Sequence, residues 1–254
     1  MIRFCTIAFL AMFAALPLRA EEVVAGLSQN RISITTNFDG SEILIFGAVK
    51  REATIPEGEP LEVIITVAGP SEPVVVRKKD RRFGIWINTA AVEVDSAPSF
   101  YSVATSAPWE EVVTDVEDLR HKISVTRAIR SVGAPSEVRN SETFTEALIR
   151  IREADDLYQT NINSVDVSQQ TLFSTSVQLP ANLTEGDYVA RFFLTRGGVV
   201  LDQHETTIFV QKVGLERFLY NLAHEQPLVY GLLSLFIAIV AGWGASAFFR
   251  YLRG

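Results

Sequence analysis

Leu179-Pro180-Ala181-Asn182-Leu183-Thr184-Glu185-Gly186-Asp187-Tyr188 runs directly into an apolar-rich strand over residues 189–195. The order is a leucine, a glycine, and then a tyrosine that opens the strand. A tyrosine so placed can turn its hydroxyl back onto backbone a few residues upstream and pin the corner. Gly197-Gly198 follows and closes a tight hairpin into a second strand over 199–210, because two adjacent glycines accept the positive φ angles of a two-residue turn. An alternating run over 171–179 precedes the corner.

That corner resembles the tyrosine corner of immunoglobulin-like sandwiches, so the expected fold is mainly β, an immunoglobulin-like β-sandwich. Working outward, residues 31–38 and 42–46 alternate on either side of Asp39-Gly40, a strong hairpin signal. Residues 61–67 predict a further strand ended by Gly69-Pro70. Val74-Val75-Val76 and Phe83-Gly84-Ile85-Trp86-Ile87 flank a charged tip and predict a second hairpin, with Trp86 supplying a core side chain.

The middle of the chain changes period. Over 108–123, Val112, Val113, Val116, Leu119 and Ile123 fall on one helical face, with Pro108 suited to the first turn. Over 141–158, Phe144, Ala147, Leu148, Ile151 and Leu157 do the same. The break between them is Ser131-Val132-Gly133-Ala134-Pro135, rich in turn formers. Two amphipathic helices are therefore expected as an insertion in the β region.

The two ends set a location. Met1-Ile2-Arg3, a short apolar run over 4–18 and a small residue at Ala20 describe a secretory signal peptide cleaved after Ala20. The run is too short to span a bilayer. At the other end, LVYGLLSLFIAIVAGWGASAFF over 228–249 carries no charge. As a helix it reaches about 33 Å, enough to cross a hydrocarbon core. Tyr230 near one end and Trp243, Phe248, Phe249 and Tyr251 near the other suit the two interfaces. Arg250 and Arg253 follow the helix, and no acid occurs after Glu225, so the positive-inside rule keeps the short tail in the cytoplasm. The expected layout is a signal peptide over 1–20, a β-rich sandwich region over 21–105, and a helical segment over 106–160. Immunoglobulin-like strands over 161–212 and a juxtamembrane amphipathic helix over 213–227 follow. A transmembrane helix over 228–249 and a tail over 250–254 complete it. Leu215, Phe218, Leu219 and Leu222 give the juxtamembrane helix one apolar face that can rest on the bilayer. No Gly/Ser-rich linker separates it from the last strand.

The chain resembles an alphaproteobacterial family of single-pass transmembrane proteins with a signal peptide, a periplasmic β-rich region and a C-terminal transmembrane helix. The likeness is carried by Arg31-Ile32-Ser33-Ile34 through Phe38-Asp39-Gly40, Phe46-Gly47 and Gly69-Pro70. It continues in Val76-Arg77-Lys78-Lys79 with Gly84-Ile85-Trp86-Ile87-Asn88, and in Pro98-Ser99-Phe100-Tyr101. Leu179-Pro180-Ala181-Asn182, Lys212-Val213-Gly214 and Gly242-Trp243 complete it. The resemblance implies a bacterial inner-membrane protein facing the periplasm. It implies no activity and no catalytic residues.

Composition removes several classes of chemistry. The single cysteine, Cys5, lies inside the signal, so a mature chain would hold no disulfide, iron–sulfur cluster or thiol nucleophile. A net charge of −7 disfavours nucleic acid as a partner. His121, His204 and His224 lack metal-motif spacing, so no metal or cofactor is expected. There is no Gly-x-Ser-x-Gly elbow around Ser99 and no phosphate-binding glycine loop. Asn182-Leu183-Thr184 matches a glycosylation acceptor but reads as turn chemistry in a bacterial setting. Asp115, Glu117, Asp118, Glu153, Asp155 and Asp156 fall largely on the polar helix faces, where solvation accounts for them.

Two features remain as candidate sites. Arg77, Lys78, Lys79, Arg81 and Arg82 put five cations in six positions of an acidic protein. They are read either as a contact for anionic lipid or an acidic partner, or as a solvated edge. Ala238, Gly242 and Ser246 recur every four residues in the membrane helix, with Ala241 and Ala245 alongside. Such a small-residue face lets a second helix approach closely, from another copy or from a larger membrane protein. The function expected is a membrane-anchored periplasmic binding or accessory protein, a non-catalytic partner of an inner-membrane protein. The alternative is an envelope hydrolase using carboxylates assembled by the fold. A ligand sensor would need a partner protein to relay its signal, since the tail is too short to do so.

Overall fold

The computed structural model describes residues 21–35, 37–51, 55, 58–131 and 141–253. The expected signal peptide over 1–20 and most of the turn over 131–135 lie outside the described residues. The fold is mainly β with one long apolar helix at its C-terminus.

Strands β1 (Glu21–Leu27), β3 (Ser41–Arg51), β10 (Leu172–Leu179) and β9 (Asp166–Ser168) form one sheet in that order. A six-stranded sheet runs β2 (Arg31–Ile34), β12 (Val199–Lys212), β11 (Gly186–Arg196), β4 (Glu62–Ala68), β7 (Tyr101–Thr105) and β8 (Tyr158–Asn161). Early and late segments therefore share both sheets, and β3 with β10 and β4 with β11 form the joins. Alternation decides which side chains face inward. Val23, Ile43, Ile45, Phe173 and Val177 are buried, whereas Val24, Leu44, Phe46 and Leu172 are exposed on the opposite face. The sheets meet where the rings of Phe173 of β10 and Phe192 of β11 lie 6.2 Å apart between centroids. Val23 of β1 also donates its N–H to the Asp202 carboxylate of β12 at 2.9 Å.

The Asp39-Gly40 hairpin expected from the sequence does not form. β2 instead pairs parallel with β12, while β3 pairs with β1 and β10 in the other sheet. The competitor is β1, which the sequence pattern did not show as a strand and which takes β3's edge from Glu21↔Arg51 to Leu27↔Ile45. Gly40 (φ 114°) turns the chain from one sheet to the other, and a Cβ there would sit 2.8 Å from the Leu179 carbonyl oxygen. The turn is real, but it links two sheets.

The helix expected over 108–123 is two short pieces, α1 (Trp109–Val112) and α2 (Asp115–His121), with extended Val113 and Thr114 between them. The Thr114 N–H donates to the Gly198 carbonyl at 2.9 Å, and its hydroxyl caps α2 by accepting from the Glu117 N–H. This break rotates α2. Val112, Val113 and Ile123 are buried as expected, but Val116 and Leu119 face solvent, while Glu117 and Asp118 are 5% and 8% exposed. Their burial corrects the expectation that these acids lie on a solvated face. Asp118 accepts from the Ile123 and Ser124 N–H groups (3.1 and 2.7 Å) and from the Ser124 hydroxyl (2.8 Å), ending α2 and starting α3 (Val125–Ala128). The second expected helix forms as α4 (Glu142–Ala154), with Phe144 and Leu148 buried and Ile151 exposed.

The tyrosine corner is present. The Tyr188 hydroxyl donates to the Thr184 carbonyl at 2.8 Å. Its ring packs so closely on Gly69 that a Cβ there would lie 2.9 Å from Tyr188 Cε1 and 2.6 Å from Ser99 Oγ. Burial pushes the Tyr188 phenol up from its ordinary range, keeping it a donor at any working pH.

Glu21 closes the start of β1. It is buried and accepts from Arg51 Nε at 2.6 Å and an Arg196 guanidinium nitrogen at 3.0 Å. Burial alone would raise its carboxyl pKa, but the hydrogen bonds and charges of the two arginines outweigh it and hold the carboxyl below its usual value. A carboxylate depressed in the folded state stabilises above its unfolded pKa of about 4.3, and loses that contribution as pH falls through the lower folded value. Glu21→Gln should thus lower unfolding free energy at neutral pH by about 1–3 kcal/mol. The gap from the parent should close under acid, as chemical denaturation in detergent would show. Tyr188→Phe should cost about 1 kcal/mol in the same assay, and Gly69→Ala more, because the added methyl has no room.

Candidate functional site

Strands β5 (Ser71–Arg82) and β6 (Ile85–Pro98) pair only with each other, forming a two-stranded ribbon. Its base belongs to the core, where Val76, Val92 and Val94 are buried and the Ser96 backbone bridges to Arg130. Beyond Val76 every residue from 77 to 82 is exposed, as are residues 85–89. From the Val76↔Val92 pair to the Arg82↔Ile85 pair is six residues, so the free part of the ribbon projects about 20 Å.

The sequence reading needs two corrections here. Trp86 is 68% exposed rather than in the core, because the ribbon outruns the body and no sheet lies beneath either face at its end. The charged residues are not the tip. They occupy β5, and the apex is apolar: Phe83 is fully exposed, and Ile85, Trp86 and Ile87 follow it down β6. The turn itself is Phe83-Gly84, with φ angles of 51° and 86°. Gly197-Gly198 makes the same kind of turn between β11 and β12 with φ of 56° and 74°. A phenylalanine in the left-handed region is unfavourable, and turn chemistry prefers Asn, Asp or Gly there.

Residues opposite one another in an antiparallel pair share a face. Arg81 and Trp86 lie on one face, while Arg82 with Ile85 and Asp80 with Ile87 lie on the other. Arg77, Lys78, Lys79, Arg81 and Arg82 form no ion pair with another described residue. Arg81 and Arg82 thus stand directly across from Trp86 and Ile85, so β5 carries cations and β6 apolar residues at the same height, while Arg77, Lys78 and Lys79 lie behind the apex.

The second candidate is the C-terminal helix. α5 (Leu215–Glu225) follows Val213, whose N–H donates to the Ile34 carbonyl at 2.9 Å, so the helix leaves the sheet without a linker. Phe218, Leu219 and Tyr220 are exposed on it, and the Tyr220 ring stacks on His224 at 4.0 Å. After Gln226, α6 (Pro227–Arg253) begins, and its stretch Pro227–Phe248 is apolar and long enough to cross a membrane. None of that stretch is buried against the rest of the protein. Ala238, Gly242 and Ser246 lie exposed, and a Cβ on Gly242 would meet nothing within 4 Å.

The polar residues considered for catalysis are occupied structurally or scattered. His121 lies between Glu117 (Nε2–Oε2 3.4 Å) and Gln203 (Nδ1–Oε1 3.1 Å), with its ring edge-on to Phe193. His204 sits beside Phe192 on β12, and His224 lies on α5, so the three do not converge. No metal-holding cluster of His, Cys, Asp or Glu exists among the described residues. Ser99 is buried at the Tyr188 corner. Arg191, which sequence reasoning missed, is the hub of the helical insertion. It donates to Thr66 Oγ1 (3.2 Å), the Tyr101 hydroxyl (3.0 Å) and the His121 and Lys122 carbonyls (2.8 and 3.0 Å), and lies 5.3 Å over the Phe193 ring. Asp39, Glu42 and Asp156 line an open polar cleft of about 660 Å³ beside Gln159 and Gln178.

Among solved structures, the sporulation control protein Spo0M from Bacillus subtilis is similar over 76% of this chain and 50% of its own, at 12% identity and a TM-score of 0.26. The chain thus spans about half the length of that protein. BslA, a bacterial hydrophobin, is matched over 78% of this chain and all of its own, at 10% identity and a TM-score of 0.22. Among curated proteins no match was found. Residues 22–251 match the family described as "Putative transmembrane protein (Alph_Pro_TM)", and the chain belongs to that family.

Proposed function

We propose that this chain is a single-pass protein of the bacterial inner membrane, with residues 21–212 held in the periplasm and residues after 249 in the cytoplasm. The exported part is read as an immunoglobulin-like sandwich, a reading supported by the Tyr188 corner and by strands of both halves sharing two sheets. It serves as a non-catalytic binding or accessory partner of an inner-membrane protein. The observation that carries this reading is where the uncovered apolar surface lies. The long helix and the ribbon apex are its most exposed parts, beside Val24, Leu44, Phe46 and Leu172 on the outer sheet face, while Asp118, Glu117 and Arg191 are spent on holding the helical insertion. The orientation rests on the exported start and on Arg250 and Arg253 beyond the helix.

Ala238, Gly242 and Ser246 form the face through which α6 packs on a second transmembrane helix. Gentle detergent purification after in-cell crosslinking should recover the chain with a specific membrane protein or with itself. Gly242→Leu should reduce that recovery several-fold without releasing the chain from the membrane. Recovery of free monomer alone, unchanged by crosslinking, would refute the reading. A cysteine at an exposed sheet position should be labelled from the periplasm and one after Arg250 should not.

A further inference from the structure

We infer that the β5–β6 ribbon is a lipid-binding finger whose apex enters the interface of an anionic bilayer, with Arg77, Lys78 and Lys79 behind it on the headgroups and Arg81 and Arg82 reaching back to them from beside it. The inference rests on the proposed periplasmic, membrane-held placement and names the partner of one of its exposed apolar surfaces.

Three observations carry it. The first is shape. Phe83, Ile85, Trp86 and Ile87 are exposed at the apex, and cross-strand pairing distributes Trp86 and the two isoleucines over both faces. A protein surface covers one face of a ribbon and leaves the other wet, whereas an interface surrounds an inserted apex. These residues fall within three strand positions of the turn, about 10 Å, which is the depth an interfacial element occupies. The second is charge. Arg77, Lys78 and Lys79 lie behind the apex, and Arg81 and Arg82 stand beside it, paired with Trp86 and Ile85, against one acid, Asp80, in a chain of net charge −7. Each cation near an anionic membrane surface adds about 1 kcal/mol of attraction, roughly fivefold in partition. The third is the turn. Phe83 adopts φ 51°, where Asn or Gly would be easier, and packs on nothing in return, being fully exposed. Fold stability does not account for a phenylalanine there. A lipid ligand does.

The test uses the full-length chain reconstituted in phosphatidylcholine vesicles or in phosphatidylcholine–phosphatidylglycerol vesicles. A Cys5→Ser background with Asn88→Cys takes an environment-sensitive fluorophore beside the apex and leaves the four apolar residues intact. We expect a blue shift and quenching by spin-labelled lipid only when phosphatidylglycerol is present, both reversed by salt. Placing the quencher in the host vesicles or in added vesicles tells whether the ribbon folds back to its own membrane or reaches an apposed one. Phe83→Asn with Trp86→Ser should weaken the response at least about tenfold, while thermal stability holds or rises because Asn-Gly suits the turn. Lys78→Gln and Lys79→Gln should each weaken it about fivefold.

An equal response in phosphatidylcholine alone, or silence in both lipids, overturns the inference. A lipid-independent response that grows with protein density assigns the apex to a second copy. One that requires another protein from native membranes assigns it to a protein groove. Either result overturns the lipid assignment. Carbonate extraction of the same preparation separates the two readings. A chain that is extracted fails the proposed membrane attachment, whereas an integral chain with a silent apex fails only this inference.

Discussion

Strand β11 is buried on both of its faces over residues 192–195, and the rest of the molecule is arranged to make that possible. Phe192, Phe193, Leu194 and Thr195 have no exposed surface. Phe192 points toward Phe173 of the four-stranded sheet, while Phe193 meets His121 and the Arg191 guanidinium on the side of the helical insertion. A strand with two apolar faces needs a layer over each, and neither layer is local in sequence. One is built from β1, β3, β9 and β10, the other from residues between β7 and β8. The insertion of α1 to α4 is thus a structural cover, and its buried polar groups are explained as fasteners. Asp118 ties α2 to α3, and Arg191 ties their junction to the sheet.

The features legible in the sequence are those set by neighbouring residues. Gly197-Gly198, the Tyr188 corner and the uncharged run of α6 depend on local backbone geometry or on length without charge, and each is present. The failures are cases of competition at a distance. Asp39-Gly40 does turn the chain, but its flanking strands prefer β12 and β1, which the local pattern cannot weigh. The apolar stripe of Val116 and Leu119 suits a continuous helix, yet the contact of Thr114 with Gly198 breaks that helix and turns Glu117 and Asp118 inward. Trp86 fails for a third reason. Alternation says which residues share a face and cannot say whether anything lies beneath that face.

The basic cluster was legible as composition, and its meaning changed with geometry. As a hairpin tip it would be one more solvated turn. Set along β5 across from Trp86 and the isoleucines of β6, it becomes one half of an amphipathic element whose halves are its two strands, joined at the exposed Phe83. Ordinary strand amphipathicity runs across the sheet, with period two. Here the division runs from strand to strand, so no face assignment along a single strand would have exposed it.

The joint between domain and anchor also has a mechanical meaning. β12 runs for 14 residues, and only Val213 and Gly214 separate it from α5. It is bonded to β11 along most of its length and to β2 at its last four residues, with the Ile34 carbonyl holding Val213 just beyond. Ladder hydrogen bonds lie across the strand axis. Tension arriving through the helix therefore runs along β12 and loads these bonds in shear, sharing the force among many of them. A strand attached at its edge and peeled sideways would release them one at a time. A pull on the β-rich part, or movement of the long C-terminal helix, is thus transmitted to the whole six-stranded sheet as to a rigid body.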